Sequence, residues 1–242
     1  MRIGAGLLAG AGSSSFNAVT IKNQFMPEKA KTLTALKETG VVAVIRADKA
    51  EDLMDVGRAL REGGVRFIEI TMTVPGALDV IEQAVSALRS EEVYIGAGTV
   101  LDAETARLAI LAGAAYVVSP VFRPEVIAVC KRYSVPVMPG AMTPTEILNA
   151  WEAGADVVKV FPAGVGGPQF FRDLKGPLPH IEIMPTGMVN RETAPQFIKA
   201  GACAVGAGSE LVGKALIAAR DFATITKNAR DFITLVRDAR AK

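Results

Sequence analysis

The chain has 242 residues, half of them hydrophobic, which suits one large α/β domain with a single extensive core. Lysine and arginine number 27 against 25 for aspartate and glutamate, and this balance argues against nucleic acid or an anionic membrane as a partner. No apolar run reaches the roughly 18 residues that a membrane-spanning helix needs, so the sequence predicts no membrane partner.

Residues 1–26 are rich in glycine, alanine and serine and contain no acidic residue. Their apolar part is short and interrupted by glycines, and Arg2 is the only cation near its start, so the segment fits a signal or transit peptide poorly. We interpret 1–26 as a non-catalytic N-terminal extension and 27–242 as the catalytic domain, and we predict a cytoplasmic location.

Eight short β-branched or apolar runs follow in chain order. They lie at 41–46, 67–71, 93–98, 115–120, 135–140, 156–162, 181–186 and 202–208. Most are continuously apolar, which is typical of parallel strands that are covered on both faces. Helix-length segments lie between them, many with a polar or proline start and a glycine stop, such as 102–114 and 143–155.

Strand and helix alternate eight times, and successive strand ends are about 20 to 28 residues apart, the size of one βα unit. The pattern predicts an α/β fold, a single (β/α)8 TIM barrel, with an extra helix before the first strand at 27–40 and a longer helix near 217–239. A doubly wound open sheet is the alternative. It is disfavoured because VIRADKAED, after the first strand, lacks the glycine-rich dinucleotide turn.

Cysteine and histidine are scarce: Cys130 and Cys203 lie in apolar segments, and the single histidine, His180, lies in a predicted loop. No spacing among them resembles a metal site, so the sequence predicts no metal and argues against a histidine-based catalytic triad. We expect two reduced, buried thiols.

Lys159 stands out among the residues near predicted strand ends, where barrels collect their catalytic groups. It lies inside the apolar run VVKVFP, where a solvated ammonium is not expected. Burial of an unpaired ammonium is costly and favours the neutral amine, which is a nucleophile toward a carbonyl. A lysine paired structurally with a neighbouring carboxylate, or one on an exposed strand end, is an equally good interpretation of the pattern.

Glu69 is a second ionisable residue in an apolar strand, FIEIT. A buried glutamate is suited to proton transfer. It can also neutralise Arg46 or Lys159, and the pattern slightly favours this structural ion pair. The two roles are compatible.

Glycine-rich turns end the last two predicted strands, PTGM at 185–188 and GAGSE at 206–210. Backbone amides in such turns bind anions, and barrels commonly hold phosphate at this pair of loops. A third turn, GAGT at 96–99, adds a hydroxyl and suits a smaller anion such as a carboxylate.

Ordered motifs extend from about Val41 to Val212: VIRA, IEIT, IGAGTV, SP, MPGAMTPTE, VKVFPA, GPQF, KGPLP, PTG and GAGSEL. In these motifs the chain resembles the 2-keto-3-deoxy-6-phosphogluconate (KDPG) aldolases with their 4-hydroxy-2-oxoglutarate (KHG) activity. The resemblance implies a class I, metal-independent lyase without cofactor other than a covalent lysine imine, a small-molecule keto-acid substrate, and a homotrimer.

The resemblance also implies roles for single residues. Lys159 is similar to the Schiff-base lysine, Glu69 to the general acid/base, and Thr99 to the group that holds the pyruvate carboxylate. The other implied substrate contacts are Arg46, Gly187 and Ser209 at the phosphate and distal substrate, Pro120 and Phe161 as pocket walls, and Thr186 as a hydrogen-bond donor.

Two positions depart from the family pattern. Thr73, which we keep as a substrate contact, stands where some members have arginine, and Met188 replaces the second glycine of PTGG. Because methionine disfavours positive φ, we expect the turn either to hold Met188 at negative φ with its side chain directed away, or to lose part of the phosphate site.

The implied reaction is cleavage of KDPG to pyruvate and glyceraldehyde 3-phosphate, with cleavage of KHG to pyruvate and glyoxylate as a second activity. One alternative is an aldolase for the 6-phosphogalactonate epimer. Another is a catalytically silent barrel that binds a phosphorylated metabolite or serves as a scaffold, but such a protein gains nothing from two buried ionisable groups.

Overall fold

The computed structural model describes residues 27–45, 50–88 and 92–241. The extension 1–26 and the side chain of Arg46 lie outside these ranges. The strands are β1 Val41–Ile45, β2 Phe67–Thr71, β3 Tyr94–Gly98, β4 Tyr116–Val118, β5 Val137–Met138, β6 Gly140–Ala141, β7 Val158–Val160, β8 Ile183–Pro185 and β9 Val205–Ala207. The helices are α1 Lys29–Thr39, α2 Ala50–Glu62, α3 Ala77–Leu88, α4 Ala103–Leu111, α5 Pro124–Arg132, α6 Pro144–Glu152, α7 Gly167–Lys175, α8 Thr193–Lys199, α9 Lys214–Ala218 and α10 Phe222–Arg240.

The fold is α/β, and its strands pair in parallel in two sheets. One sheet has the order β5-β4-β3-β2-β1-β9, and the other has the order β6-β7-β8. All residues of β2 and β3 are buried, which explains why these runs do not alternate with polar residues.

The fifth predicted strand, at 135–140, is wrong in one respect, because the structure divides it at Pro139 into β5 and β6. Proline has no N–H to donate to a neighbouring strand. Its carbonyl still accepts from the Lys159 amide at 2.9 Å. β5 pairs with β4 and β6 pairs with β7, so the division falls where one sheet gives way to the other.

A second contact joins the sheets at β8 and β9. The Cys203 amide donates to the Ile183 carbonyl at 3.0 Å, and Thr186 forms an isolated parallel bridge with Gly206. The ends of β8 and β9, which carry two of the glycine-rich turns, therefore lie side by side.

A compact apolar cluster takes side chains from both sheets and from α1, which precedes β1. Its buried members are Ala35, Leu36, Val42, Phe67, Tyr94, Ala115, Tyr116, Val118, Met138, Val157, Met184 and Ala204. A larger hydrophobic cluster packs the helices onto the strands. No helix within the described ranges is long and apolar enough to cross a membrane.

The predicted continuous helix at 217–239 is also wrong in detail. α9 ends at Ala218 and α10 begins at Phe222. Asp221 separates them because its carboxylate accepts from the Thr224 amide at 3.0 Å and caps the new helix.

Candidate active site

The structure brings together the two ionisable residues that the sequence places in apolar strands. Lys159 on β7 and Glu69 on β2 belong to different sheets, yet Lys159 Nζ lies 3.7 Å from Glu69 Oε1. Their side chains are only 6 % and 1 % exposed. Burial of an ion pair costs desolvation free energy, so its retention here makes the pair a candidate for a functional site.

The Glu69 carboxylate occupies space that a glycine provides. A β-carbon added at Gly98 would lie 2.1 Å from Glu69 Oε1 and 2.6 Å from its Cδ. Gly98 belongs to the GAGT motif. Because this residue has no side chain, the Glu69 carboxylate can lie against its backbone. Glu69 Oε2 is buried and has no hydrogen-bond partner among the described residues.

Phe161 connects this pair to an open cavity of about 450 Å³. Lys159 Nζ lies 5.4 Å from the centre of the Phe161 ring, and the ring also lines the cavity. Three further predicted contacts, Thr186, Gly187 and Ser209, line the same cavity. The predicted site is thus divided between a buried amine–carboxylate pair and a wider space at the ends of β7, β8 and β9.

Thr186 lines that cavity and has a buried hydroxyl. Its hydroxyl oxygen is buried and has no hydrogen-bond partner among the described residues. A β-carbon at Gly206 would lie 2.5 Å from it, so the glycine of the neighbouring strand leaves it room. An unpaired hydroxyl beside a cavity is ready to donate to a ligand.

Met188 corrects one expectation. Its φ is +58°, not negative, and the residue is 81 % exposed. It lines the cavity next to Gly187, whose φ is +88°. The turn therefore keeps the left-handed conformation of a glycine at a methionine, which costs about 1 kcal/mol.

Thr73, Thr99 and Pro120 lie outside the lining of this cavity. Thr99 directly follows Gly98, is half-buried and has a φ of +58°. The hydroxyls of Thr73 and Thr71 lie 2.8 Å apart. The backbone of Pro120 packs closely over Gly140, where a β-carbon would lie 2.1 Å from the Pro120 carbonyl.

Arg46, the predicted phosphate contact, lies outside the described residues. Sequence reasoning missed a different cation, Lys214, which lines the cavity together with Ser209 and Glu210. Its signal was the continuation of the last glycine-rich motif, GAGSELVGK, in which Lys214 closely follows the turn and begins α9.

Neither cysteine is suited to act as a nucleophile. Burial raises the pKa of the Cys130 thiol to about 12, and burial likewise raises the pKa of the Cys203 thiol to about 12. Both thiols are therefore protonated at neutral pH. Among the described residues, no group of three or more His, Cys, Asp or Glu side chains could hold a metal ion.

Comparison with known proteins identifies the family of this chain. The family model described as "KDPG and KHG aldolase" matches residues 33–228. The 2-dehydro-3-deoxy-phosphogluconate aldolase of Treponema pallidum is 36 % identical over 84 % of this chain and 96 % of its own length. The 2-dehydro-3-deoxy-6-phosphogalactonate aldolase of Escherichia coli is 34 % identical over 71 % of this chain and 83 % of its own.

A solved structure of a KDPG aldolase has a similar fold. The KDPG aldolase of Legionella pneumophila, described with pyruvate captured at low pH as a covalent carbinolamine intermediate, has a TM-score of 0.77 and 26 % identity. The match covers 82 % of this chain and 96 % of that one.

Proposed function

Because the chain belongs to the KDPG and KHG aldolase family, a family of lyases, we propose that it is a class I aldolase that cleaves KDPG to pyruvate and glyceraldehyde 3-phosphate. The observation that carries the proposal is the buried contact of Lys159 Nζ with Glu69 Oε1 at 3.7 Å. A primary amine beside a carboxylate, both shielded from water, is the pair of groups that imine chemistry needs.

The amine is the nucleophile. The Lys159 ammonium passes a proton to Glu69, and the neutral amine attacks the C2 ketone of the substrate to give a carbinolamine. Glu69 returns that proton to the carbinolamine hydroxyl, so water leaves, and an iminium and the Glu69 carboxylate remain. The capture of pyruvate as a carbinolamine in the Legionella pneumophila relative supports this first step. The positive iminium nitrogen then accepts the electron pair of the C3–C4 bond as that bond breaks.

Glu69 moves the protons. Its carboxylate takes the proton of the C4 hydroxyl, directly or through a water, so that the aldehyde product can leave. The same group, now protonated, returns a proton to C3 of the enamine. Water then hydrolyses the resulting pyruvate imine and frees the Lys159 amine. No step requires a metal or an organic cofactor, so we expect EDTA to leave the rate unchanged.

The cavity at the ends of β7, β8 and β9 suits the phosphate end of the substrate. Thr186 and Ser209 offer hydroxyl donors, Gly187 brings backbone close to the ligand, and Lys214 supplies a positive charge. Phe161 lines this cavity, and its ring centre lies 5.4 Å from Lys159 Nζ. We assign Thr99, which follows β3, as the hydrogen-bond donor to the pyruvate carboxylate. Glu69 lies on the neighbouring strand β2.

We also infer that the two sheets are arcs of one closed (β/α)8 barrel. Three observations support closure: the Lys159–Glu69 contact between sheets, the joining of β8 to β9, and the apolar cluster that both sheets share with α1. The homotrimer and the cytoplasmic location stay predictions. Sedimentation of the purified chain tests the first.

A second substrate is favoured by a specific relative, the 6-phosphogalactonate aldolase of Escherichia coli. Pyruvate release, coupled to lactate dehydrogenase, separates the candidates when KDPG, its galactonate epimer and KHG are compared at equal concentration. The proposal requires the highest kcat/KM on KDPG and its loss in Lys159→Met. A higher kcat/KM on the galactonate epimer would identify that epimer as the preferred substrate. Activity that survives in Lys159→Met would refute the proposed mechanism.

A further inference from the structure

Tyr116 is a fully buried tyrosine that the proposed reaction does not use. It begins β4, and its ring lies over β3, where a β-carbon added at Gly96 would be 2.3 Å from Tyr116 Cζ. Its hydroxyl oxygen is buried and has no hydrogen-bond partner among the described residues. Buried polar atoms nearly always form a hydrogen bond to protein or to an ordered water, so we expect the Tyr116 hydroxyl to have such a partner.

The strand register places Tyr116 in the same row of the sheet as Glu69. Glu69 pairs with Gly96 across β2 and β3, and Gly96 pairs with Tyr116 across β3 and β4. The three residues thus form one row across the sheet. Gly98 lies two positions beyond Gly96 on the same face, and the Glu69 carboxylate occupies the space over it. The Tyr116 ring and the Glu69 carboxylate therefore lie over the same face of β3, where Gly96 and Gly98 have no side chain.

The two groups are chemically complementary. Glu69 Oε2 is the other buried oxygen of this row without a described partner, and as a carboxylate oxygen it accepts hydrogen bonds. Burial raises the pKa of the Tyr116 hydroxyl well above its ordinary value, and the charge of Glu69 raises it further. The phenol consequently keeps its proton and can donate it.

Tyr116 OH and Glu69 Oε2 do not bond to each other directly, since neither has a partner among the described residues. We propose that Tyr116 is a positioning residue, whose hydroxyl donates a hydrogen bond to one buried water that in turn donates to Glu69 Oε2. This contact fixes the carboxylate plane and turns Oε1 toward Lys159, 3.7 Å away. Its consequence for catalysis rests on the proposed aldolase function, whereas the contact itself does not.

A double-mutant cycle on unfolding in urea tests the contact without any assay of activity. With Glu69 present, Tyr116→Phe should lower the folding equilibrium constant by roughly tenfold to a hundredfold, the usual worth of a hydrogen bond to a charged group. In the Glu69→Leu background the same substitution should be neutral or stabilising, because it then removes an orphaned hydroxyl. Equal effects in the two backgrounds would overturn the proposal.

The pH profile of kcat tests the consequence. In Tyr116→Phe we expect kcat to fall about tenfold and its acid limb to move up by roughly half a unit to one unit, because the ionised carboxylate has lost a donor. Tyr94→Phe is the matched control, since its ring and that of Tyr116 both contact Phe67, at centroid distances of 4.6 and 5.5 Å. The control should leave the acid limb in place.

The outcomes distinguish this contact from the proposed function. An unchanged acid limb in Tyr116→Phe, or an equal shift in Tyr94→Phe, refutes the positioning role. A wild-type protein without aldolase activity refutes the proposed function, and the unfolding cycle then still decides whether Tyr116 and Glu69 are paired.

Discussion

Met188 packs against Gly164: a β-carbon added at Gly164 would lie 2.7 Å from Met188 Cβ and 2.8 Å from its Sδ. Met188 follows β8, and Gly164 lies in the 3-10 turn Ala163–Val165 that follows β7. The glycine at 164 therefore provides the space that lets a methionine occupy a turn otherwise suited to glycine.

Met188→Gly should tighten the binding of phosphorylated substrate. The substitution removes a side chain from the cavity rim and suits the φ of +58°. We expect the KM for KDPG to fall by about threefold or more, with little change for KHG, which lacks a phosphate. Equal changes for the two substrates, or no change for either, would mean that Met188 does not border the phosphate.

Gly164→Ala tests the packing itself. In the wild-type background the added methyl must displace the exposed Met188 side chain, so we expect a loss of about 0.5–1.5 kcal/mol in the free energy of unfolding. In the Met188→Gly background, the same substitution should cost much less. Urea unfolding of the four proteins gives the comparison, and additive losses would show that the two residues are not coupled.

Lys214 is expected to bind the substrate phosphate. Lys214→Met should raise the KM for KDPG by about threefold to tenfold, a modest effect because the side chain is exposed, and should leave KHG within twofold. Lys199→Met is the control, since Lys199 is an exposed lysine on α8 outside the cavity. A similar rise in the control, or a rise with KHG, would argue for a general effect of charge.

Much of the fold follows from local patterns in the sequence. The strands at 41–46, 67–71 and 93–98 are confirmed within one residue at each end, because buried parallel strands are continuously apolar. The division at Pro139 and the break at Asp221 escaped prediction. Both depend on single hydrogen-bonding groups, a missing N–H and a capping carboxylate, that hydrophobic periodicity does not record.

The sequence singles out the two residues of the buried pair but not the geometry that brings them together. Lys159 and Glu69 stand out because charged residues are rare in apolar strands, but no spacing along the chain indicates that β2 and β7 face each other. The sequence did not identify Lys214 and Tyr116, for different reasons. One is a lysine among many on the surface, and the other is an aromatic residue in a strand, which is ordinary core unless its hydroxyl lacks a partner.

Gly98 should tolerate no side chain. In Gly98→Ala the new methyl would displace the Glu69 carboxylate from its position near Lys159, so we expect kcat to fall by about 10² or more, the usual cost of misplacing a catalytic group by 1 Å. Gly176→Ala is the control, because its β-carbon would meet only the Asp173 carbonyl at 3.4 Å. Unchanged kcat in Gly98→Ala would show that Glu69 can act from another position.

Glu69→Gln separates proton transfer from imine formation. The amide keeps the shape of the side chain but cannot accept the C4 hydroxyl proton, so turnover should fall by about 10² to 10⁴. Trapping of pyruvate on the amine should persist, although more slowly. Glu104→Gln, at an exposed position of α4, serves as the control. Wild-type turnover in the Glu69 variant would make the carboxylate purely structural.

The most direct measurement is reductive trapping of pyruvate with borohydride, followed by peptide mass spectrometry of the wild-type chain. If Lys159 is the Schiff-base residue, one covalent adduct forms and maps to the peptide that contains it, and Lys159→Met abolishes both the adduct and substrate cleavage. An adduct on any other lysine, or cleavage that proceeds without an adduct, would contradict the account.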